Sequence, residues 1–316
     1  MLGLGTSLIS GAPISTLEEL LRSAFDKRVT EDGGALENDT CLLSVLGELV
    51  TEPAPFTTGL LEFYPNAAAA YSLRQLRRSV FPYAIRVRRS DDTEQDIGFN
   101  SNGELDTNAL LAFADGGDAW VATWYDQSSN GNDATQGTND NQPQIVSSGS
   151  VVTENGKPAV YFDGANDQFQ LSYPDLYGQT VLDAYIAYAT NDNSYGLFSN
   201  RPTEFKYSLL AEDGSSSPLL VSNYGTPDLF VNGNQYAINY GTTTRDQLHT
   251  ELVRDQMILE VHQGATTSNW SDFGFSNYGA RELNGNVSEI ILYNSDQSAN
   301  RVGIETNIND FYSIYS

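Results

Sequence analysis

The chain is poor in cysteine, in basic residues and in long apolar runs. Cys41 is the single cysteine, so an intrachain disulfide is excluded and an oxidising compartment is disfavoured. The 16 Lys and Arg residues stand against 41 Asp and Glu residues, which gives a net charge of −25. This charge repels phosphate groups and disfavours nucleic acid as a partner. No apolar stretch is long enough to span a bilayer, so no membrane insertion is expected.

Sequence features typical of a signal peptide or of a metal site are scarce as well. The first ten residues lack a basic region followed by an apolar run, so no signal peptide is predicted and assembly in a bacterial cytoplasm is expected. His249 and His262 have no Cys or His partner at zinc-ligand spacing, so no zinc site is expected. Apart from the calcium site considered below, no cofactor is predicted.

Short alternating apolar runs are abundant. They predict strands, each separated from the next by turn pairs such as Asn155-Gly156 and Asn232-Gly233. The predicted strands lie at residues 83–88, 120–125, 158–162, 184–188, 207–210, 257–261 and 287–293. Helical spacing predicts a short helix at residues 67–78 and a terminal helix at residues 298–315. Many short strands without βαβ alternation indicate an all-β sandwich or jelly roll.

The N-terminal region differs in pattern from the rest. Leu17, Leu20, Leu21 and Phe25 have helical spacing, and prolines near residue 55 mark a boundary. Residues 1–55 are too few to bury a core alone, so we expect them to serve in attachment or oligomerisation, with a homo-oligomer as the product. The alternative is a plain extension of the main domain, which spans residues 56–316.

Several motifs resemble known families. They are YSLR at residues 71–74, IRVRRS at 85–90, WYDQSSNGND at 124–133, NGKPA at 155–159, FDGAND at 162–167 and GNVSEIILYN at 285–294. Together they resemble the catalytic sandwich of the α-L-arabinofuranosidase B family and the laminin-G-like domains of tailed-bacteriophage particle proteins. The resemblance implies a concanavalin-like jelly-roll β-sandwich with a small helical N-terminal segment and a C-terminal helix. The segment FDKRV at residues 25–29 also resembles phage particle proteins.

The catalytic motifs of the arabinofuranosidases are not found. That family has its nucleophilic Glu in a Gly-Asn-Ala-Glu context beside paired cysteines, and its acid Asp in a Gly-Gly-Asp stretch. This chain has neither sequence, and Cys41 has no partner. The resemblance therefore favours a non-enzymatic virion protein, such as a capsid decoration, head fibre or tail appendage. Its partners would be other virion proteins and a host-surface glycan. The alternatives are a glycoside hydrolase with a relocated carboxylate pair, or a free carbohydrate-binding module.

Candidate site residues follow from these motifs. Tyr125, Asp126, Asn130 and Asn132 are candidate glycan ligands, although the same motif can form a purely structural corner. Trp270 lies in a polar stretch and is a candidate for stacking on a sugar ring or for the core. A second set consists of clustered oxygen ligands that suit Ca²⁺ but equally fit an ordinary hairpin turn. The members of this set are Asp163, Asn166 and Asp167.

Six arginines fall between residues 74 and 89. The alternatives for this run are ion pairs with nearby acids, such as Asp91, Asp92 and Glu94, or a patch for an anionic ligand. Because the chain is so acidic, ion pairing is the favoured interpretation.

Overall fold

The structure is a computed structural model. It describes residues 59–78, 81–171, 182–190, 195–196, 198–199, 211–212, 228–252, 254–264, 272–273, 275–276 and 281–316. Three of the predictions lie outside these ranges: the attachment segment with Leu17, Leu20, Leu21 and Phe25, the strand at residues 207–210, and the role of Trp270. They stay predictions.

Strands dominate the described part of the chain. In chain order they are β1 (Ala69–Ser72), β2 (Tyr83–Arg89), β3 (Glu94–Gly98), β4 (Ala119–Trp124), β5 (Ala134–Thr135), β6 (Gln144–Ser147), β7 (Ser150–Val151), β8 (Thr153–Glu154), β9 (Lys157–Pro158), β10 (Val160–Asp163), β11 (Phe169–Gln170), β12 (Leu182–Thr190), β13 (Tyr195–Gly196), β14 (Phe198–Ser199), β15 (Ala211–Glu212), β16 (Asp228–Val231), β17 (Asn234–Tyr236), β18 (Arg254–Gly264), β19 (Asp272–Phe273), β20 (Phe275–Ser276), β21 (Arg281–Glu282) and β22 (Asn284–Tyr293).

Helices are few and short among these residues. They are α1 (Leu60–Phe63), α2 (Thr107–Ala114), α3 (Arg245–Leu252), α4 (Arg301–Tyr312) and a 3₁₀ helix at Asn139–Asn141. None of the described helices is long and apolar enough to cross a membrane.

The strands form an all-β sandwich, as the alternating pattern predicts. One layer is built around β2, β4 and β6, and the other around β22, β12, β18 and β16, with β10 pairing to both β6 and β22. Val87 and Trp124 from the first layer and Ile186 and Leu259 from the second belong to one buried core. Because side chains alternate along a strand, each layer also presents an outer face.

The outer face of the second layer is covered by the terminal helix. Ile304 and Ile308 of α4 pack on Tyr185, Ile258 and other residues of β12, β18 and β22 in a second apolar cluster. The predicted terminal helix is therefore confirmed, with bounds slightly inside the predicted ones.

The helix predicted at residues 67–78 is wrong. Residues Ala69–Ser72 form β1, which is buried throughout and pairs antiparallel with β22. The N–H of Ala70 donates to Oδ1 of Asp126 over 2.9 Å. These distant partners override the helix propensity of the alanines, which is only a weak preference.

Candidate active site

The motif at residues 124–133 forms a corner that holds β1 in place, with Asp126 and Asn132 buried and Asn130 exposed. Oδ1 of Asp126 accepts the N–H groups of Ala70 and Ser128, each over 2.9 Å. Oδ2 of Asp126 accepts the Ser128 hydroxyl over 2.6 Å and the Asn132 N–H over 3.0 Å. Asp126 is only 1% exposed. This carboxylate therefore organises the backbone around itself.

The amides of the motif complete the corner. Nδ2 of Asn132 donates to the Ala68 carbonyl over 2.8 Å, and Nδ2 of Asn130 donates to the carbonyls of Ala67 and Ala68. The Tyr125 hydroxyl donates to Oδ1 of Asp96 over 2.6 Å. The four predicted glycan ligands of this motif are thus placed at a structural corner. None of them lines the cleft described next.

A cleft of about 490 Å³ opens on the outer face of the first layer. Four side chains of its floor form a row across adjacent strands. Arg88 on β2 is in register with Trp120 on β4, Trp120 with Gln144 on β6, and Gln144 with Tyr161 on β10. The cleft is lined by Arg88, Ser90, Asp92, Trp120, Asn139, Asp140, Gln142, Gln144, Tyr161, Asp163 and Asp167.

Successive side chains along a strand point to opposite faces of the sheet, which explains why this row faces outward. The residues next to this row in sequence point to the core. All three are fully buried: Val87 beside Arg88, Val121 beside Trp120 and Val160 beside Tyr161. The sequence analysis predicted β2, β4 and β10 but not β6, and it missed the row. The alternation in residues 120–121 was the signal that Trp120 and Val121 face opposite sides.

Arg88 fixes one end of the floor. Its Nε donates to Oε1 of Gln142 over 2.7 Å, its Nη1 lies 3.3 Å from Oδ1 of Asp92, and its Nη2 donates to the Asn139 carbonyl over 3.4 Å. The guanidinium carbon lies 4.8 Å from the centroid of the Trp120 ring, within the range of a cation–π contact. Arg88 therefore positions Trp120 and the adjacent wall, and its bonding groups are already engaged.

Asp163 and Asp167 form the wall at the other end of the floor. The Asp163 N–H donates to Oδ2 of Asp167 over 2.9 Å. Oδ1 of Asp163 accepts the N–H groups of Ala165 and Asn166 over 2.8 and 3.3 Å. Gly164 has a φ of +74°, and a Cβ there would meet Asn284 at 2.7 Å, so this tight turn requires glycine.

The two carboxyl groups differ in environment. Asp167 is 5% exposed, and burial together with the nearby charge of Asp163 raises its pKa to about 7. Desolvation disfavours the charged form of a carboxyl, and a neighbouring like charge adds to that effect. Asp163 is exposed, and the two backbone N–H groups that it accepts suit a carboxylate anion. At neutral pH the wall therefore combines an exposed carboxyl group with a buried one that is partly protonated.

The predicted calcium site falls on this same wall. The structure brings Asp163, Asn166 and Asp167 together, and Nδ2 of Asn166 donates to Oδ1 of Asn141 over 3.2 Å. Within the described ranges no group of three or more His, Cys, Asp and Glu side chains is arranged to hold a metal ion. Calcium at these residues stays a prediction.

Four of the six arginines in the run, including Arg74 described below, pair with acids, as the favoured interpretation predicts. Arg86 bonds to Asp96, Arg88 approaches Asp92, and Arg89 bonds to Asp91, with separations of 2.7, 3.3 and 2.9 Å. Asp96, rather than Glu94, is the partner on β3 because it lies directly opposite Arg86 in the register.

A second group of titratable side chains lies beneath α4. Nδ1 of His262 lies 2.9 Å from Oδ2 of Asp183, and its Nε2 lies 3.2 Å from Oε2 of Glu260. These carboxylates outweigh the effect of burial and raise the His262 pKa to about 9. Asp183, Glu260 and His262 are each at most 2% exposed. A substrate cannot reach them, so this cluster is structural.

Arg74 forms a second buried contact on the same face. Its Nε and Nη2 donate to the two carboxylate oxygens of Glu289 over 2.7 and 2.9 Å. Ser72 and Tyr312 also donate to this carboxylate, over 2.7 and 3.2 Å. The Arg74–Glu289 pair thus joins β1, β22 and α4.

Comparison with known proteins bears on the fold. No protein-family model matches the chain, and no curated protein matches its sequence significantly. Solved arabinofuranosidases are similar in structure. One, complexed with arabinofuranosyl-α-1,2-xylobiose, is 16% identical, and a GH54 α-L-arabinofuranosidase soaked with a cyclic sulfate inhibitor is 17% identical. Each has a TM-score of 0.50 and matches 79% of this chain and 64% of its own.

The comparison confirms the sandwich resemblance and corrects the predicted function. At this identity the likeness shows a shared fold, and the chain covers about 64% of the length of these structures. We predicted a non-enzymatic virion protein. That prediction is wrong: the similar structures are enzymes, and no family of bacteriophage proteins matches.

Proposed function

We propose that the chain is a glycoside hydrolase whose active site is the cleft on the outer face of the first layer. Asp167 acts as the general acid, and Asp163 is the second carboxylate. The observation that carries this proposal is the buried carboxyl of Asp167, whose pKa is raised to about 7 beside the charged Asp163. Most glycoside hydrolases cleave the glycosidic bond with two carboxyl groups in different protonation states.

The chemistry needs only these groups and water. Asp167 gives its proton to the glycosidic oxygen as the bond from that oxygen to the anomeric carbon breaks. Asp163 stabilises the positive charge that develops on the sugar ring. A water molecule then supplies hydroxide to the anomeric carbon, and its remaining proton restores the acid form of Asp167.

Two further observations support the proposal. Solved structures similar to this chain include arabinofuranosidases, so the sandwich is able to carry glycoside hydrolysis. The cleft floor presents Trp120 and Tyr161 on either side of Gln144 in the cross-strand row. Aromatic rings next to an amide offer a sugar both an apolar platform and hydrogen bonds.

The experiment is a screen of the full chain against neutral, amine-bearing and acidic oligosaccharides, with detection of newly released reducing ends. We expect hydrolysis of at least one class, and a loss of about 10²-fold or more in kcat for Asp167→Asn. Asp115→Asn is the matched control, because Asp115 is an exposed aspartate outside the cleft lining. The proposal fails if no class is cleaved, or if the two variants behave alike.

A carbohydrate-binding module is the second candidate. The observation in its favour is the same row of Trp120, Gln144 and Tyr161, which can hold a sugar without cleaving it. Saturable binding with no released reducing ends, unaffected by Asp167→Asn but lost in Trp120→Ala, would support binding alone.

A further inference from the structure

The cleft has a direction and an uneven distribution of charge. Its floor runs across β2, β4, β6 and β10, from Arg88 at one end to Tyr161 at the other. Neighbouring strands are about 4.8 Å apart, so the Trp120 and Tyr161 backbones are separated by roughly 10 Å across Gln144. That separation suits a linear glycan laid across the strands, with one ring over each aromatic side chain.

Carboxyl groups surround this floor, and basic side chains neutralise only part of their negative charge. Asp92, Asp140, Asp163 and Asp167 line the cleft, whereas Arg88 is the single basic residue in its lining. The Arg88 guanidinium is already bonded to Gln142 and approaches Asp92. Asp167 is partly protonated, so Asp140 and Asp163 are the carboxyl groups that give the cleft a negative potential, in a chain whose net charge is already −25.

We infer that the cleft binds a linear glycan over Trp120, Gln144 and Tyr161 and ranks such glycans by charge. Amine-bearing sugars bind best, uncharged sugars bind less tightly, and carboxylate-bearing sugars are rejected. This inference rests on the proposed function for the location of the glycan, but it concerns binding and not cleavage. Its physical basis is the Coulomb interaction of the ligand charge with the aspartates around the floor.

Asp140 is the best residue for testing the charge effect. It is exposed in the 3₁₀ helix Asn139–Asn141, and it contributes charge to the cleft without forming the floor. Replacing it with Asn should reduce the ratio of the affinity for amine-bearing sugars to the affinity for uncharged sugars by about two- to threefold. This is the size of effect expected for one exposed charge. Trp120→Ala should instead weaken all ligands together, because it removes the stacking surface.

The experiment measures binding of three β-1,4-linked oligomers of equal length by isothermal titration calorimetry. They are built of glucosamine, glucose and glucuronate, and the pH is mildly acidic so that the amines are charged. The protein is the full-length Asp167→Asn variant, so that no ligand is consumed. At low salt we expect about tenfold steps in affinity between successive members of the series. Added salt should shrink these steps.

The controls separate a folding defect from a binding effect. Trp120→Phe keeps a ring and should retain most of the affinity, and Asp115→Asn should leave the order of affinities unchanged. Circular dichroism confirms that each variant is folded. Equal affinities for the three oligomers, tighter binding of the glucuronate oligomer, or no binding of any oligomer would overturn the inference.

The two proposals can fail separately. If the order of affinities holds and the wild-type protein cleaves nothing, hydrolysis is wrong and the glycan site stands. If the wild-type protein cleaves glycans without any preference by charge, the charge ranking is wrong and hydrolysis stands.

Discussion

The backbone N–H of Asp163 donates to Oδ2 of Asp167 over 2.9 Å, so one turn of chain places two carboxyl groups on the same wall of a cleft. One of them is buried and the other is exposed. Burial and the charge of Asp163 keep the Asp167 pKa near 7, whereas its ordinary value is 3.8. This asymmetry is the physical basis of the proposed acid catalysis.

The raised pKa of Asp167 predicts an effect on stability. A carboxyl whose pKa is higher in the folded state resists ionisation there, so stability falls as the pH rises from about 4 through about 7. Asp167→Asn removes this unfavourable ionisation. We expect it to raise the free energy of unfolding by about 1–3 kcal/mol at about pH 8, with much less effect at about pH 4.

Urea denaturation at the two pH values measures this difference, and Asp115→Asn serves as the charge-matched control. A substitution that abolishes catalysis while stabilising the fold is typical of strained functional sites. Equal or lower stability of Asp167→Asn at the higher pH would mean that its carboxyl is not held in the environment described.

The corner motif at residues 124–133 predicts a loss of stability on substitution, whereas Asp167→Asn is expected to raise stability. In Asp126→Asn an N–H₂ group replaces one acceptor oxygen. Depending on which oxygen it replaces, it faces either the Asn132 N–H and the Ser128 hydroxyl or the N–H groups of Ala70 and Ser128. We expect a loss of about 2–4 kcal/mol in the free energy of unfolding, because a buried charged acceptor is lost. Glycan affinity of the folded fraction should not change, because Asp126 is outside the cleft. A selective loss of glycan binding, with normal thermal stability, would assign the motif to the ligand instead.

The Arg74–Glu289 pair predicts a large and non-additive effect. Arg74→Met leaves the Glu289 carboxylate buried without its cation, which should cost about 3–5 kcal/mol. Adding Glu289→Gln removes the stranded charge while keeping an acceptor for the donors from Ser72 and Tyr312. The double variant should therefore be more stable than Arg74→Met alone. Simple additivity in a double-mutant cycle from chemical denaturation would contradict this account.

His262 predicts a pH dependence on the alkaline side. Its pKa is raised from 6.5 to about 9 by Asp183 and Glu260, against the opposing effect of burial. Its charged form therefore stabilises the fold fully below about pH 6.5, and this contribution is lost as the pH rises through about 9. Arg301 and Glu305 of α4 face Glu260, and Asp296 also interacts with the charge of His262.

In His262→Gln the decline in stability between these pH values should be absent, and stability at neutral pH should be lower by about 3 kcal/mol. Thermal unfolding across the pH range, together with NMR titration of the imidazole, tests both statements. An imidazole that titrates near 6.5 in the folded protein would show that the two carboxylates do not hold its proton.

Much of the fold can be predicted from the sequence because it depends on local alternation. Residues 83–88 alternate with period two and form a strand, and Val302 to Phe311 have helical spacing and lie in α4. The error at residues 67–78 has a clear cause. Local propensity favours a helix in that alanine run, whereas the partners that make it a strand, Ile291 and Asp126, lie far away in the chain.

The candidate site was harder to predict. Asp163 and Asp167 attract attention as clustered oxygen ligands, but the burial that raises the pKa of Asp167 comes from the folded environment. The cleft floor combines side chains from four strands that are distant in sequence, and only the register brings Trp120, Gln144 and Tyr161 together. A single sequence carries no signal for that register.

The most direct test of the central claim compares two leaving groups. Wild type and Asp167→Asn are assayed on an unactivated oligosaccharide and on a nitrophenyl glycoside of the same sugar, whose leaving group departs without protonation. If Asp167 is the general acid, the variant loses about 10²–10⁴-fold in kcat on the oligosaccharide and far less on the nitrophenyl glycoside. Equal losses on both substrates, or no loss on either, would contradict the assignment of this cleft as the active site.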